Sequence, residues 1–167
     1  MTLIRETGET SDHYRRVDSI EALGTDGALI VPLALAEAAK DHLAGRRFGL
    51  SVPNNAAVED IAPLLADVDL VVVEFPAFSD GRGFSLAKRL RRAGFEGTLR
   101  ASGPLIADQF ADALACGFDE VELPETMANR QPVQQWMEAK DTMSRHYQNG
   151  YGDDRSILRK RLAAREA

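Results

Sequence analysis

The sequence predicts an α/β domain in which a five-stranded parallel sheet is doubly wound, with helices on both of its faces. Its most hydrophobic segment, Leu-Val-Val-Val at residues 70–73, is typical of a strand that is covered on both sides. Segments of strand character alternate with segments of helical composition, and short connections join them. Because such connections require right-handed crossovers, we expect parallel strands, and we favour the order 2-1-3-4-5.

Five strands alternate with four helices in the central part of the chain. The strands are predicted at residues 28–34, 47–52, 68–75, 98–102 and 118–123, and the helices at residues 35–44, 57–66, 85–93 and 104–115. Gly45, Gly94 and Gly117 follow three of these helices, at the position where helices commonly end. Glu120 and Glu122 alternate with apolar residues in the last strand, which predicts that this strand forms an edge of the sheet.

This central domain, residues 28–124, is predicted to have a flanking segment on either side. Residues 1–27 are mixed and polar, and we interpret them as an N-terminal extension. Residues 125–167 contain an amphipathic helix at 131–147, followed by a basic tail. We expect this helix to pack against the domain, because its apolar residues recur at helical spacing. The residues available for burial are Val133, Trp136, Met137, Met143 and Tyr147.

Length and composition exclude several classes of protein. A chain of 167 residues that is 44% hydrophobic is expected to form one domain with extensions. Its net charge of -6 argues against general nucleic-acid binding, which requires a basic surface. Cys116 is the one cysteine, so the chain has no intrachain disulfide and no cluster of thiolates, and we predict neither a metal nor a cofactor. No segment reaches the roughly 18 apolar residues of a membrane span, so we predict a soluble, cytoplasmic protein.

A glycine-rich turn between the third strand and its helix is the first candidate site. It comprises Asp80, Gly81, Arg82, Gly83 and Ser85. Backbone N–H groups at the start of a helix and a guanidinium together suit sulfate, sulfite, phosphate or a carboxylate. In the alternative interpretation, Asp80 or Ser85 caps the helix, the glycines permit the turn and Arg82 is solvated.

Arg100 is the second candidate, because it lies in a strand that is expected to be buried on both faces. A buried charge requires a partner or an opening to solvent. Glu74 and Asp80 lie at the same carboxyl edge of the sheet, and Asp108 begins the next helix. These residues form either a structural ion-pair network or a functional cleft in which Glu74, the Asp80 turn, Arg100 and Ser102 converge.

A basic run at residues 88–92, Lys-Arg-Leu-Arg-Arg, is interpreted as a solvated helix face that could also dock an acidic partner. In that second interpretation it acts together with the basic residues of the tail, which are Arg155, Arg159, Lys160 and Arg161.

Residues 28–124 resemble the flavodoxin-like receiver domains of bacterial two-component systems. The similarity is carried by Asp-Leu-Val-Val-Val-Glu-Phe-Pro-Ala-Phe-Ser-Asp-Gly at residues 69–81 and by Gly-Phe-Asp-Glu-Val-Glu-Leu-Pro at residues 117–124. Glu74 stands at the place of the phosphoacceptor, Pro32 and Leu33 replace the metal-binding acidic pair, and no lysine precedes Pro124. We therefore predict that phosphotransfer chemistry is absent.

A second resemblance covers most of the chain. Residues 75–92, Leu-Arg-Ala-Ser-Gly at residues 99–103, Asp-Gln at 108–109 and Cys-Gly-Phe-Asp at 116–119 resemble bacterial domain-of-unknown-function family nine-three-four. That family carries the label of a probable oxidoreductase or an accessory in sulfite reduction, because its genes often lie beside sulfite reductase. The resemblance implies an accessory or partner-binding protein in assimilatory sulfite reduction, with sulfite reductase or its electron donor as the partner.

Two alternatives remain open from the sequence. One is a small enzyme that acts on an anionic substrate, either a sulfur oxyanion or a phosphate-bearing molecule, at the carboxyl edge of the sheet. The other is a degenerate signalling module. The sequence leaves catalysis open, and we favour a protein that binds.

Overall fold

The computed structural model describes residues 1–24, 27–43 and 45–143, with the side chains of residues 142 and 143 excluded. The strands are β1 Thr2–Arg5, β2 Gly8–Thr10, β3 Tyr14–Arg16, β4 Ala28–Pro32, β5 Phe48–Pro53, β6 Val68–Glu74, β7 Thr98–Ser102 and β8 Glu120–Leu123. The helices are α1 Leu33–Leu43, α2 Val58–Ile61, α3 Arg82–Arg92, α4 Phe110–Ala115, α5 Glu125–Ala128 and α6 Val133–Met143.

All eight strands belong to one mixed sheet, in the order β2-β1-β8-β7-β6-β5-β4-β3. Strands β3 to β8 are parallel and follow each other in sequence order. Strand β1 pairs antiparallel with β8, and β2 pairs antiparallel with β1. The sheet forms a half-barrel, so the prediction of a five-stranded, doubly wound parallel sheet with the order 2-1-3-4-5 is wrong.

The sequential strand order explains the curvature. When every right-handed crossover adds the next strand on the same side, all of the crossover helices lie on one face of the sheet. Residues of α1, α2, α3 and α4 accordingly share one core with inward residues of β4 to β8. The sheet then curls with its natural twist and leaves a concave face without helices. In a doubly wound sheet, helices would cover both faces.

Residues 2–16, interpreted from the sequence as part of an extension, supply three strands of this sheet. Only residues 11–13 separate β2 at one edge of the sheet from β3 at the other. Four Cα-to-Cα steps span at most about 14 Å, so the two edges lie close to each other. The N-terminal segment therefore passes along the open side of the half-barrel and brings polar side chains to its concave face.

The predicted strands 28–34, 47–52, 68–75, 98–102 and 118–123 correspond to β4 to β8. The helix predicted at residues 57–66 is shorter, because α2 ends at Ile61 and a 3-10 turn with Pro63 follows. The predicted C-terminal amphipathic helix is present as α6, and its Trp136 is fully buried. Tyr147 and the basic tail lie outside the described residues. No helix in the described part of the chain is long and apolar enough to cross a membrane.

Candidate functional site

A buried arginine lies at the centre of the concave face. Arg100 of β7 is 1% exposed, and its Nε donates a hydrogen bond of 2.8 Å to Glu120 Oε1 of β8. Its Nη1 and Nη2 donate to the two carboxylate oxygens of Asp12, at 2.7 and 3.0 Å. The guanidinium also lies 5.7 Å from the ring centroid of Tyr14. Arg100 is therefore paired with Asp12 and Glu120, and none of its hydrogen bonds reaches Glu74 or Asp80.

Two further arginines extend this pairing. Arg5 Nε donates to the second oxygen of Glu120 at 2.8 Å, and Arg16 Nη2 donates to the Glu122 carboxylate and, at 3.1 Å, to Ser102 Oγ. The resulting set, here called the concave ionic network, comprises Arg5, Arg16 and Arg100 with Asp12, Glu120 and Glu122. Three positive charges meet three negative ones, and the pair of Arg16 with Glu122 connects the edge strand β3 to β8 across the concave face.

Burial and hydrogen bonding oppose each other in this network. Burial alone would raise the pKa of Asp12, but the hydrogen bonds from Arg100 and from the Tyr14 N–H, together with the charges of Arg100 and Arg16, hold that pKa below its usual value. Burial alone would lower the pKa of Arg100, and the bonds to Asp12 and Glu120 raise it instead. Burial and the adjacent Asp69 carboxylate raise the pKa of Tyr14 to about 12. Asp12 and Arg100 therefore stay charged, and Tyr14 stays neutral, at neutral pH.

Glu120 and Glu122 correct one prediction from the sequence. Their alternation with apolar residues predicted that β8 is an edge strand, but β1 pairs with it on the side away from β7. Both carboxylates are buried, at 1% and 3% exposure, because the arginines of the concave ionic network neutralise them. The alternation of glutamates with apolar residues in β8 is therefore explained by a charged face inside the half-barrel.

Above the concave ionic network, a cleft of about 610 Å³ opens at the carboxyl edge of the sheet. Its lining includes Arg16, Asn54, Glu74, Phe75, Arg82 and Ser102. Glu74 and Ser102 are in register on β6 and β7, and Ser51 Oγ of β5 donates to Glu74 Oε1 at 2.6 Å. Arg16 and Ser102 both line the cleft, and the hydrogen bond between them links the floor of the cleft to the concave ionic network.

The Asp80 turn forms a self-paired unit beside this cleft. Arg82 Nε and Nη2 donate to the two oxygens of Asp80, at 2.9 and 2.6 Å. These bonds, with a smaller contribution from the Asn54 side chain, lower the pKa of Asp80, and the same pairing raises the pKa of Arg82. Gly83 permits close packing, because a Cβ there would lie 2.3 Å from the Phe75 ring. Gly81 is the N-terminal cap residue of α3, and the Asp80 carboxylate accepts a hydrogen bond of 3.3 Å from the backbone N–H of Arg82 in the first turn.

The structure brings together some of the residues that the sequence grouped. Glu74, Arg82 and Ser102 line the cleft, whereas Arg100 is buried beneath it. Ser85 is exposed on α3, and Asp108 is exposed on the 3-10 turn before α4. Sequence reasoning missed the other members of the concave ionic network as partners of Arg100 or of its carboxylates, and these are Arg5, Asp12, Arg16, Glu120 and Glu122.

A second exposed feature is the outer face of α3. Ser85, Arg89 and Arg92 are exposed and recur at helical spacing, and neither of these arginines makes an ion pair with a described residue. Arg91, in contrast, donates to three backbone carbonyls and to Asp119. Phe78, in the loop that leads into α3, is 54% exposed. Within the basic run at residues 88–92, Arg91 therefore has a structural role, whereas Arg89 and Arg92 form an exposed outer face.

These features define a class of protein: an α/β half-barrel with a charge-paired interior, a polar cleft at its carboxyl edge and a basic outer helix. The family model described as bacterial protein of unknown function (DUF934) matches residues 49–158, which is more than half of the chain, and the protein belongs to this family. The match confirms the second resemblance seen in the sequence, whereas the resemblance to receiver domains is not confirmed. A search of curated proteins found no match.

Proposed function

We propose that this protein is an accessory protein of assimilatory sulfite reduction that binds sulfite reductase or its electron donor. Membership of the DUF934 family supports the pathway, through the association that the sequence resemblance implies. The exposed surface around α3 supports a binding role. This surface, here called the docking face, comprises Phe78, Ser85, Arg89 and Arg92.

The charge of the docking face is the observation that carries the proposal. The chain has a net charge of -6, yet Arg89 and Arg92 lie together on one exposed helix face without an ion-pair partner among the described residues. Residues 85–92 extend about 10 Å along the helix axis. A short positive stripe on an acidic protein favours an acidic patch on a partner protein, because nucleic-acid binding requires a more extended basic surface.

Phe78 supplies an exposed apolar side chain in the loop that leads into α3. Its backbone carbonyl accepts a hydrogen bond of 2.7 Å from Gln109 Nε2, and the N–H of Asp80 donates to the carbonyl of Ala77 at 3.1 Å. The loop is therefore held in place while the aromatic ring faces solvent. Preorganised aromatic side chains next to arginines are typical of the residues that contribute most to protein interfaces.

The fold and the cleft bear differently on the two alternative functions that the sequence left open. An enzyme that acts on an anionic substrate has the cleft in its favour, but the guanidinium groups of Arg16 and Arg82 are already paired with carboxylates and are less available to bind an anion. A degenerate signalling module loses its structural basis, because that hypothesis rested on a receiver-type sheet.

The test is to measure binding of the purified protein to the sulfite reductase, and separately to its electron donor, from the same bacterium. We expect Phe78→Ala to weaken binding to one of them by about 1 to 2 kcal/mol, because it removes a central anchor. Replacing Arg89 and Arg92 by alanine will slow association and reduce its dependence on salt, because these charges steer encounter. Calorimetry and biosensor kinetics measure the two effects.

Arg130→Ala is the matched control, because Arg130 is exposed outside the docking face. Equal affinity of the wild type, Phe78→Ala and Arg130→Ala would contradict the docking face. Absence of binding to both candidate partners, with turnover of sulfite or another oxyanion, would replace the accessory role by the enzymatic one.

A further inference from the structure

The carboxyl-edge cleft presents a carboxylate as well as positive charges. Arg16 faces the carboxylate of Glu122, and Arg82 faces that of Asp80. Glu74 also lines the cleft, and it forms no salt bridge: its carboxylate accepts a hydrogen bond from the Ser51 hydroxyl. Met1, which carries the α-ammonium group, lines the cleft as well. The lining therefore offers one negative and one positive charge without an ion-pair partner among the described residues, which suits a ligand that carries both charges.

The same cleft also has hydrogen-bond donors without acceptors. Asn54 is 4% exposed, and its Nδ2 has no hydrogen-bond partner of normal geometry among the described residues. Its amide lies near enough to Asp80 to help lower the pKa of that residue, but an amide nitrogen has two hydrogens to donate. Arg16 donates through Nη2, which leaves Nε and Nη1 for a ligand. These donors call for an acceptor such as a carboxylate.

We infer that the cleft binds a zwitterion, either a free α-amino acid or a short peptide. The ammonium group lies against Glu74, and the carboxylate accepts from Asn54 Nδ2 and from the free nitrogens of Arg16. Pro53, Phe75 and Pro76 give part of the lining an apolar character that suits a side chain. A cleft of about 610 Å³ accommodates either source of this chemistry.

This site goes beyond the proposed function and shares no residue with the docking face. A protein that fails to bind sulfite reductase or its electron donor can still bind the zwitterion, and the reverse also holds. The two proposals therefore succeed or fail separately.

Thermal-shift and calorimetric titrations of the full chain test the inference. The probes are the standard amino acids, glycyl dipeptides, and sulfite, sulfate and phosphate, each at millimolar concentration. We expect at least one amino acid or dipeptide to bind, and its N-acetylated and its amidated forms to lose binding, because each lacks one of the two charged groups. The comparison of amino acids with dipeptides distinguishes the two sources.

Glu74→Gln is the decisive variant, because Glu74 is exposed and its replacement leaves the fold in place. We expect this variant to weaken binding of the zwitterion by roughly tenfold to a hundredfold, which is the effect of one charge-assisted hydrogen bond. Glu96→Gln, at the opposite edge of the sheet, removes the same charge and will leave affinity unchanged. Absence of binding by all amino acids and dipeptides, tighter binding of an inorganic oxyanion, or unchanged affinity in Glu74→Gln would each overturn the inference.

Discussion

Replacing Arg100 by alanine will lower the free energy of unfolding by about 3 to 5 kcal/mol, the cost of breaking a buried ion pair from one side. The change strands Glu120, which is 1% exposed, with Arg5 as its remaining partner, and leaves Asp12 without its two hydrogen bonds. Urea unfolding followed by circular dichroism measures the loss. A decrease below about 1 kcal/mol, the scale of a surface ion pair, would contradict the structural role of Arg100.

Two further variants separate charge from geometry at this position. Arg100→Lys retains the charge but cannot reproduce the forked contacts to Asp12 and Glu120, so its stability will lie between those of the wild type and the alanine variant. Adding Glu120→Gln to Arg100→Ala removes a stranded carboxylate and will recover part of the loss. If Arg100 instead contacted a ligand directly, Arg100→Ala would weaken binding in the cleft with unchanged stability.

Replacing Trp136 by alanine will lower the free energy of unfolding by about 3 to 5 kcal/mol, because it opens a large cavity between α6 and α4. Trp136 is fully buried, and its ring meets that of Phe110 in a T-shaped arrangement with centroids 5.6 Å apart. Circular dichroism is the measurement, because the variant lacks the one tryptophan of the chain.

Trp136→Phe provides the control for this change. It keeps an aromatic ring beside Phe110 and removes the indole Nε1, which has no hydrogen-bond partner among the described residues. We expect the phenylalanine variant to lose much less stability than the alanine variant, because it deletes an unsatisfied donor along with part of the ring. Equal stability of the wild type and the alanine variant would show that α6 is dispensable for the fold.

The local pattern of the sequence predicted the elements but not their arrangement. Strands β4 to β8 were predicted because aliphatic runs and glycine stops are local signals. Strand order is not a local signal, because the sequential and the doubly wound orders both use right-handed crossovers. Strands β1 to β3 are three or four residues long and largely polar, and their pairing partners are distant in sequence, such as Leu123 opposite Thr2. No periodicity indicates strands of this kind.

The candidate site was predicted in part for a similar reason. Glu74 and Ser102 could be placed together because they end neighbouring parallel strands. The need of Arg100 for a partner also followed from its buried strand. Its partners could not be identified, because Asp12 lies 88 residues away and Glu120 was assigned to an exposed edge. The charges available in the cleft depend on these same pairings. The sequence alone therefore could not show whether the cleft binds the small anion that we predicted from the Asp80 turn.

The growth of a deletion strain on different sulfur sources tests the accessory role most directly. The strain is complemented with the wild type, with the Phe78→Ala/Arg89→Ala double variant, or with Arg130→Ala. We predict slow growth of the deletion strain on sulfate and normal growth on cysteine, with rescue by the wild type and Arg130→Ala but not by the double variant. Equal growth of the deletion strain on sulfate and on cysteine would contradict a role in sulfite reduction.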